Sequence, residues 1–155
     1  MTQVTFIDTS VLCELLGVPG KSNAETSGRL RIEMEQRHQT GERFVLPVTT
    51  IIETGNHIAQ CDGNRYEVAG RLVRLLQMAA NGQSPWLVLQ TNYGQEFLAA
   101  LCAGDSTGQT LPSLAAMKVG AGDVALLVER DTFVANSAVT GASVWTLDDG
   151  LASLA

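Results

Sequence analysis

The chain has 155 residues, enough for one domain with a buried core, and 45% apolar against 17% charged residues excludes a disordered polymer. No stretch of about 18 apolar residues occurs, so no membrane span is expected, and the start lacks the basic-then-apolar pattern of a secretory signal. A net charge of −6 argues against a passive nucleic-acid binder, whose affinity comes from neutralised phosphates.

In chain order, Val4-Thr5-Phe6-Ile7-Asp8 predicts a buried strand ending at an acid. Thr9 or Ser10 then caps a helix carrying Val11, Leu12, Leu15 and Leu16, which Gly17-Val18-Pro19-Gly20 ends. Ala24 to Thr40 reads as a second helix, with Glu25/Arg29 and Glu33/Arg37 at i,i+4 and Leu30 and Met34 on its inner stripe. Phe44 to Val48 is a short buried strand, and Pro47 argues for its end or an edge. Thr49 or Thr50 starts a helix with Ile51, Ile52, Glu53 and Ile58; Ile51 and Ile52 suggest a semi-buried place for Glu53. A helix with Val68, Leu72, Leu75, Leu76 and Ala79 follows, and Pro85 to Gln90 reads as a third strand. Glu96 to Ala103 is helical, Gly104 to Thr110 loop-like, and Ser113 to Val119 a short helix. Gly120-Ala121-Gly122-Asp123 opens a helix running through Val134. Ser143 to Leu147 is a last strand with Asp148 and Asp149 at its exit, and Leu151 to Ala155 a final helical turn. Alternating strands and helices mean a parallel sheet covered on both faces.

Charge and cysteines add two constraints. Eight of the ten basic residues precede residue 80, against nine acids there; beyond it Lys118 and Arg130 face seven acids. Such a dipolar surface is suited to bringing a polyanion toward an acidic pocket, although solvated helix faces explain most of the arginines equally well. Cys13, Cys61 and Cys102 are odd in number and far apart, and none belongs to a Cys-x-x-Cys pair. They read as small buried thiols in a reducing compartment, which places the chain in the cytoplasm. The methionines, Trp86 and Trp145 read as core, and His38 as solvated.

Four carboxylates hold comparable positions: Asp8 after the first strand, Glu53 in the helix after the second, Asp123 at a helix start, and Asp148 after the last strand. Ligands of open α/β sheets bind at the carboxyl ends of strands, so these acids are candidates for one site. Two unit charges 4 Å apart repel by about 4 kcal/mol at an effective dielectric of 20. A gathering of four therefore implies a cation. Hard oxygen donors without His or Cys suit Mg²⁺ or Mn²⁺, ions that activate water against a phosphodiester.

The ordered pieces Phe6-Ile7-Asp8-Thr9-Ser10-Val11-Leu12, Thr49-Thr50-Ile51-Ile52-Glu53-Thr54-Gly55-Asn56, Gly122-Asp123-Val124-Ala125-Leu126 and Val144-Trp145-Thr146-Leu147-Asp148-Asp149 resemble PIN-domain ribonucleases. The likeness is in particular to the toxins of VapBC toxin–antitoxin pairs, and it covers essentially the whole chain as one domain, 1–155. It implies a three-layer α/β/α fold with a central parallel sheet of about five strands. It further implies RNA cleavage at an Asp8, Glu53, Asp123 and Asp148 cluster holding Mg²⁺ or Mn²⁺, a homodimer, and a cognate antitoxin. The last motif departs from the family's Thr-x-Asp-x-Asp-Phe, because Asp148 and Asp149 are adjacent. Asp148 is taken as the fourth ligand, two residues after Thr146, with Asp149 its rival.

Thr9 and Ser10 are helix caps, one of them a candidate to orient a metal-bound water; Asn56 and His57 share Glu53's helix, with ordinary packed or solvated roles as their alternatives. A catalytically quiet PIN-like module that binds a partner protein is the alternative from another class. A minor alternative is dinucleotide binding, since Gly120-Ala121-Gly122-Asp123-Val124-Ala125 satisfies G-x-G-x-x-A. Asp123 opposes it by aiming charge at the pyrophosphate.

Overall fold

The computed structural model describes residues 2–155. Strands β1 (Val4–Ile7), β2 (Arg43–Val45) and β3 (Ser143–Trp145) form a parallel sheet in the order β2-β1-β3. Eight α-helices are described: α1 (Thr9–Leu16), α2 (Ala24–Gln39), α3 (Val48–Gln60), α4 (Arg65–Ala80), α5 (Gln95–Ala103), α6 (Leu111–Ala116), α7 (Ala121–Asn136) and α8 (Asp149–Leu154). The α/β class and the parallel sheet are as expected.

The sheet has three strands, not five. The expected strand at Pro85–Gln90 reduces to one parallel bridge, Trp86 with Phe44, closed by Phe44 N donating to Pro85 O and Leu87 N to Phe44 O, both at 2.9 Å. Beyond it the backbone leaves the edge of β2. Loop-like 104–110 contains only the 3₁₀ turn Asp105–Thr107.

Alternation along β1 sorts the core onto the two sheet faces. Ile7 joins Phe44, Trp86, Trp145 and the apolar stripes of α1 to α4 in one cluster, while Val4, Phe6 and Val45 meet Leu126 and Leu127 of α7 and Leu151 of α8 in the other. Phe6 and Phe44 are fully buried, each stabilising the fold by about 2–3 kcal/mol through lost apolar area. Both tryptophans are core residues as expected. Met78 of α4 and Met117, just past the end of α6, are exposed instead, and so is Cys102, while Cys13 and Cys61 are buried. His38, expected to be solvated, is half-buried, and its Nε2 lies 3.1 Å from the Ser84 hydroxyl.

Polar groups at the sheet are partnered. Thr5, facing the helices within the core, donates its hydroxyl to Glu42, which Arg37 also reaches at 3.4 Å, and the Arg37 guanidinium lies 4.3 Å over the Trp145 ring. No described helix is long and apolar enough to cross a membrane.

Candidate metal centre

Strand order decides where the site forms. The chain steps from β1 outward through β2 to the Trp86 bridge, then returns through α7 to the opposite flank of β1. The reversal falls between β1 and β3, where the carboxyl ends of two parallel strands diverge and leave a crevice. Asp8 stands at its mouth, with its N–H donating to Trp145 O at 3.1 Å.

Asp8 itself, rather than Thr9 or Ser10, is the N-cap of α1, in an extended conformation and without a side-chain cap bond. Its carboxylate is therefore free of the helix and held by hydroxyls: Oδ2 accepts from Ser10 Oγ at 2.8 Å and Thr146 Oγ1 at 2.7 Å. Only 6% of Asp8 is exposed. Thr9, the other expected cap, donates to Glu53 Oε2 at 2.8 Å. The two hydroxyls after Asp8 thus fix two different acids.

Glu53 reaches this point from α3 and is half-buried as expected, although Ile52 on its flank faces solvent at 56% exposure. Gly122, in the first turn of α7, makes the approach feasible: a Cβ there would lie 2.0 Å from Glu53 Oε1. The glycine of the G-x-G-x-x-A pattern thus makes room for a carboxylate, and Asp123 follows it. A pyrophosphate on this turn would meet two acids.

Asp8, Glu53, Asp123 and Asp148 all line one cavity of about 330 Å³. Burial pushes the Asp123 carboxyl up to about 6, with further upward pressure from Asp8, Asp148 and Glu53. Asp148 caps α8, its Oδ1 accepting from Gly150 N at 2.8 Å and Leu151 N at 3.3 Å. Asp149 lies in the first turn of α8, exposed and outside the lining. Asn56 is likewise exposed and outside it, whereas His57 is part of it.

The lining also holds two charged residues that the motifs did not single out, Glu14 and Lys21. Glu14 was recognisable as the one charged residue in an otherwise apolar α1. Its buried Oε2 accepts from Asn23 N at 3.2 Å and Ser27 Oγ at 3.0 Å, tying α1 to the start of α2. Lys21 gave no signal, since the turn after α1 brings it to the pocket.

As a donor set, five carboxylates against one ammonium suit a hard divalent cation, whose charge would relieve their repulsion. Among the described residues, however, no three His, Cys, Asp or Glu side chains are arranged closely enough to hold one. Part of the reason is visible: one oxygen of Asp8, Glu53 and Asp148 is each committed to a hydrogen bond within the protein.

Fold and pocket together define a parallel α/β protein with an acidic crevice at its strand-order reversal. The chain matches no protein family, no curated protein and no solved structure.

Proposed function

We propose that the chain is a metal-dependent endoribonuclease of the PIN type, with Asp8, Glu53, Asp123 and Asp148 holding Mg²⁺ or Mn²⁺. One observation carries this reading: four acids distant in sequence line a single cavity at the carboxyl ends of β1 and β3. A bound divalent ion would neutralise the scissile phosphodiester and activate a water. The chain's own groups do the positioning. Ser10 and Thr146 orient Asp8, Thr9 orients Glu53, and Gly122 leaves room for it. Lys21, the single ammonium of the lining, is available to a substrate phosphate. On this reading the protein is cytoplasmic and homodimeric, the toxin of a toxin–antitoxin pair restrained by a cognate antitoxin.

The test is cleavage of RNA by purified protein with Mn²⁺ against EDTA. Cleavage should need the metal and vanish in Asp8→Asn with the fold intact; a variant as active as the parent would falsify the assignment.

The quiet protein-binding module is favoured by a specific observation, the lack of a ready ligand arrangement together with Asp148 capping α8. A ligand binding only the folded state must raise its stability. Thermal unfolding with added Mn²⁺ therefore separates the two readings: a metal enzyme gains stability, and the quiet module does not.

A further inference from the structure

A second cavity, of about 610 Å³, lies at the carboxyl end of β2 between α3, α4 and the segment that leaves the sheet edge after Trp86. Its walls are apolar, with Leu46, Ile51, Leu76, Trp86 and Leu89 among them, and its size falls in the roughly 300–1,000 Å³ range of ligand pockets. One charged side chain enters the lining, Glu129 of α7, which is 5% exposed. Tyr93 donates its hydroxyl to Glu129 Oε1, whereas Oε2 is buried without a hydrogen-bond partner.

No cation in the cavity balances that carboxylate. No Lys, Arg or His lines it, and neighbouring Arg130 is engaged at 2.9 Å by both the Asp131 carboxylate and the Ala155 carbonyl. Burial pushes the Glu129 carboxyl up, against lowering contributions from Tyr93 and Thr91. A buried acceptor left unpaired is destabilising, and more so when it is charged. The group that removes this cost is a cationic donor, and the apolar walls ask for a hydrocarbon behind it. An anion would be repelled, and a neutral apolar molecule would leave Oε2 as it stands.

We propose that this cavity binds a small organic cation, its hydrocarbon or aryl body lying against Ile51, Leu76 and Trp86 and its protonated amine donating to Glu129 Oε2. The site stands apart from the acid pocket and does not depend on the ribonuclease reading, although α3 and α7 contribute to both.

The test is calorimetric titration of the purified full chain with phenylbutylamine, using phenylbutanol and phenylbutyrate as neutral and anionic counterparts. The amine should bind saturably, one per chain and at least tenfold tighter than the alcohol, with the carboxylate weakest. Glu129→Gln should lose at least tenfold for the amine and little for the alcohol. Circular dichroism checks its fold; if it does not fold, Ile51→Trp, which fills the cavity with a larger lining side chain, should abolish amine binding with Glu129 intact. Amine binding should persist in Asp8→Asn, which separates this site from the metal centre. Equal affinity for amine and alcohol, no amine binding, or unchanged amine affinity in both variants would overturn the proposal.

Discussion

Gly122 and Asp123 show how adjacent residues carry opposite demands. Gly122→Ala places a Cβ where Glu53 Oε1 lies, but the obstructed atom is the end of a flexible side chain. The carboxylate moves at small cost, and an alanine in a helix is favoured over glycine by up to about 1 kcal/mol. The variant should therefore unfold within about 1 kcal/mol of the parent in EDTA. Its stabilisation by Mn²⁺ should shrink markedly; undiminished stabilisation would contradict the role given to this glycine. Asp123 carries a pH signature. Its carboxyl is raised from an ordinary 3.8 to about 6, so between these values the folded chain holds a proton that the unfolded chain has lost. Stability from this group is complete below the unfolded value and declines as pH rises through the folded one. In EDTA, Asp123→Asn should unfold at a higher temperature than the parent at pH 7, and the gap should close toward pH 3.5 as the acid is protonated in both states.

At the scale of elements, the helices were legible because each presents an apolar stripe and a terminator. Ala24 to Thr40 was expected and Ala24–Gln39 is found, with Asn23 capping through Thr26 N. Boundaries that depend on tertiary contact were not legible: α3 begins at Val48 behind Pro47, and α8 begins at Asp149 because Asp148 caps it. The segment Trp86-Leu87-Val88-Leu89 is apolar enough for a strand, yet it pairs once and departs. Only Trp86 is buried; Leu87 and Leu89 are half-buried along the apolar cavity and Val88 is exposed, a tertiary arrangement that β propensity does not encode. The Trp86 bridge, Phe44 and Trp145 form a continuous aromatic contact across the sheet, with ring centroids about 6 Å apart. Phe44→Ala at its centre should cost about 3–5 kcal/mol. Chemical denaturation measures it, and a loss below 1 kcal/mol would mean that the sheet face repacks freely.

For the whole molecule, the four acids were found in the sequence because Asp8 and Asp148 follow strands, Asp123 opens a helix and Glu53 lies in the helix after β2, and the sheet gathers such positions at one edge. The hydroxyls that aim them were only partly legible. Ser10 is a near neighbour of Asp8 in sequence, but Thr146 reaches Asp8 across the β1–β3 crevice from 138 positions away, a contact that no local pattern reveals. Lys21 and Glu14 enter the same pocket through the packing of α1 on α2.

The central claim is that Asp8, Glu53, Asp123 and Asp148 form one divalent-cation site. Its most direct measurement is anomalous diffraction from crystals of the chain grown with Mn²⁺. The account predicts a single-site or paired manganese peak in contact with Asp8, Glu53 and Asp123, absent from Asp8→Asn crystals. A fully ordered pocket without manganese at saturating concentration would contradict it.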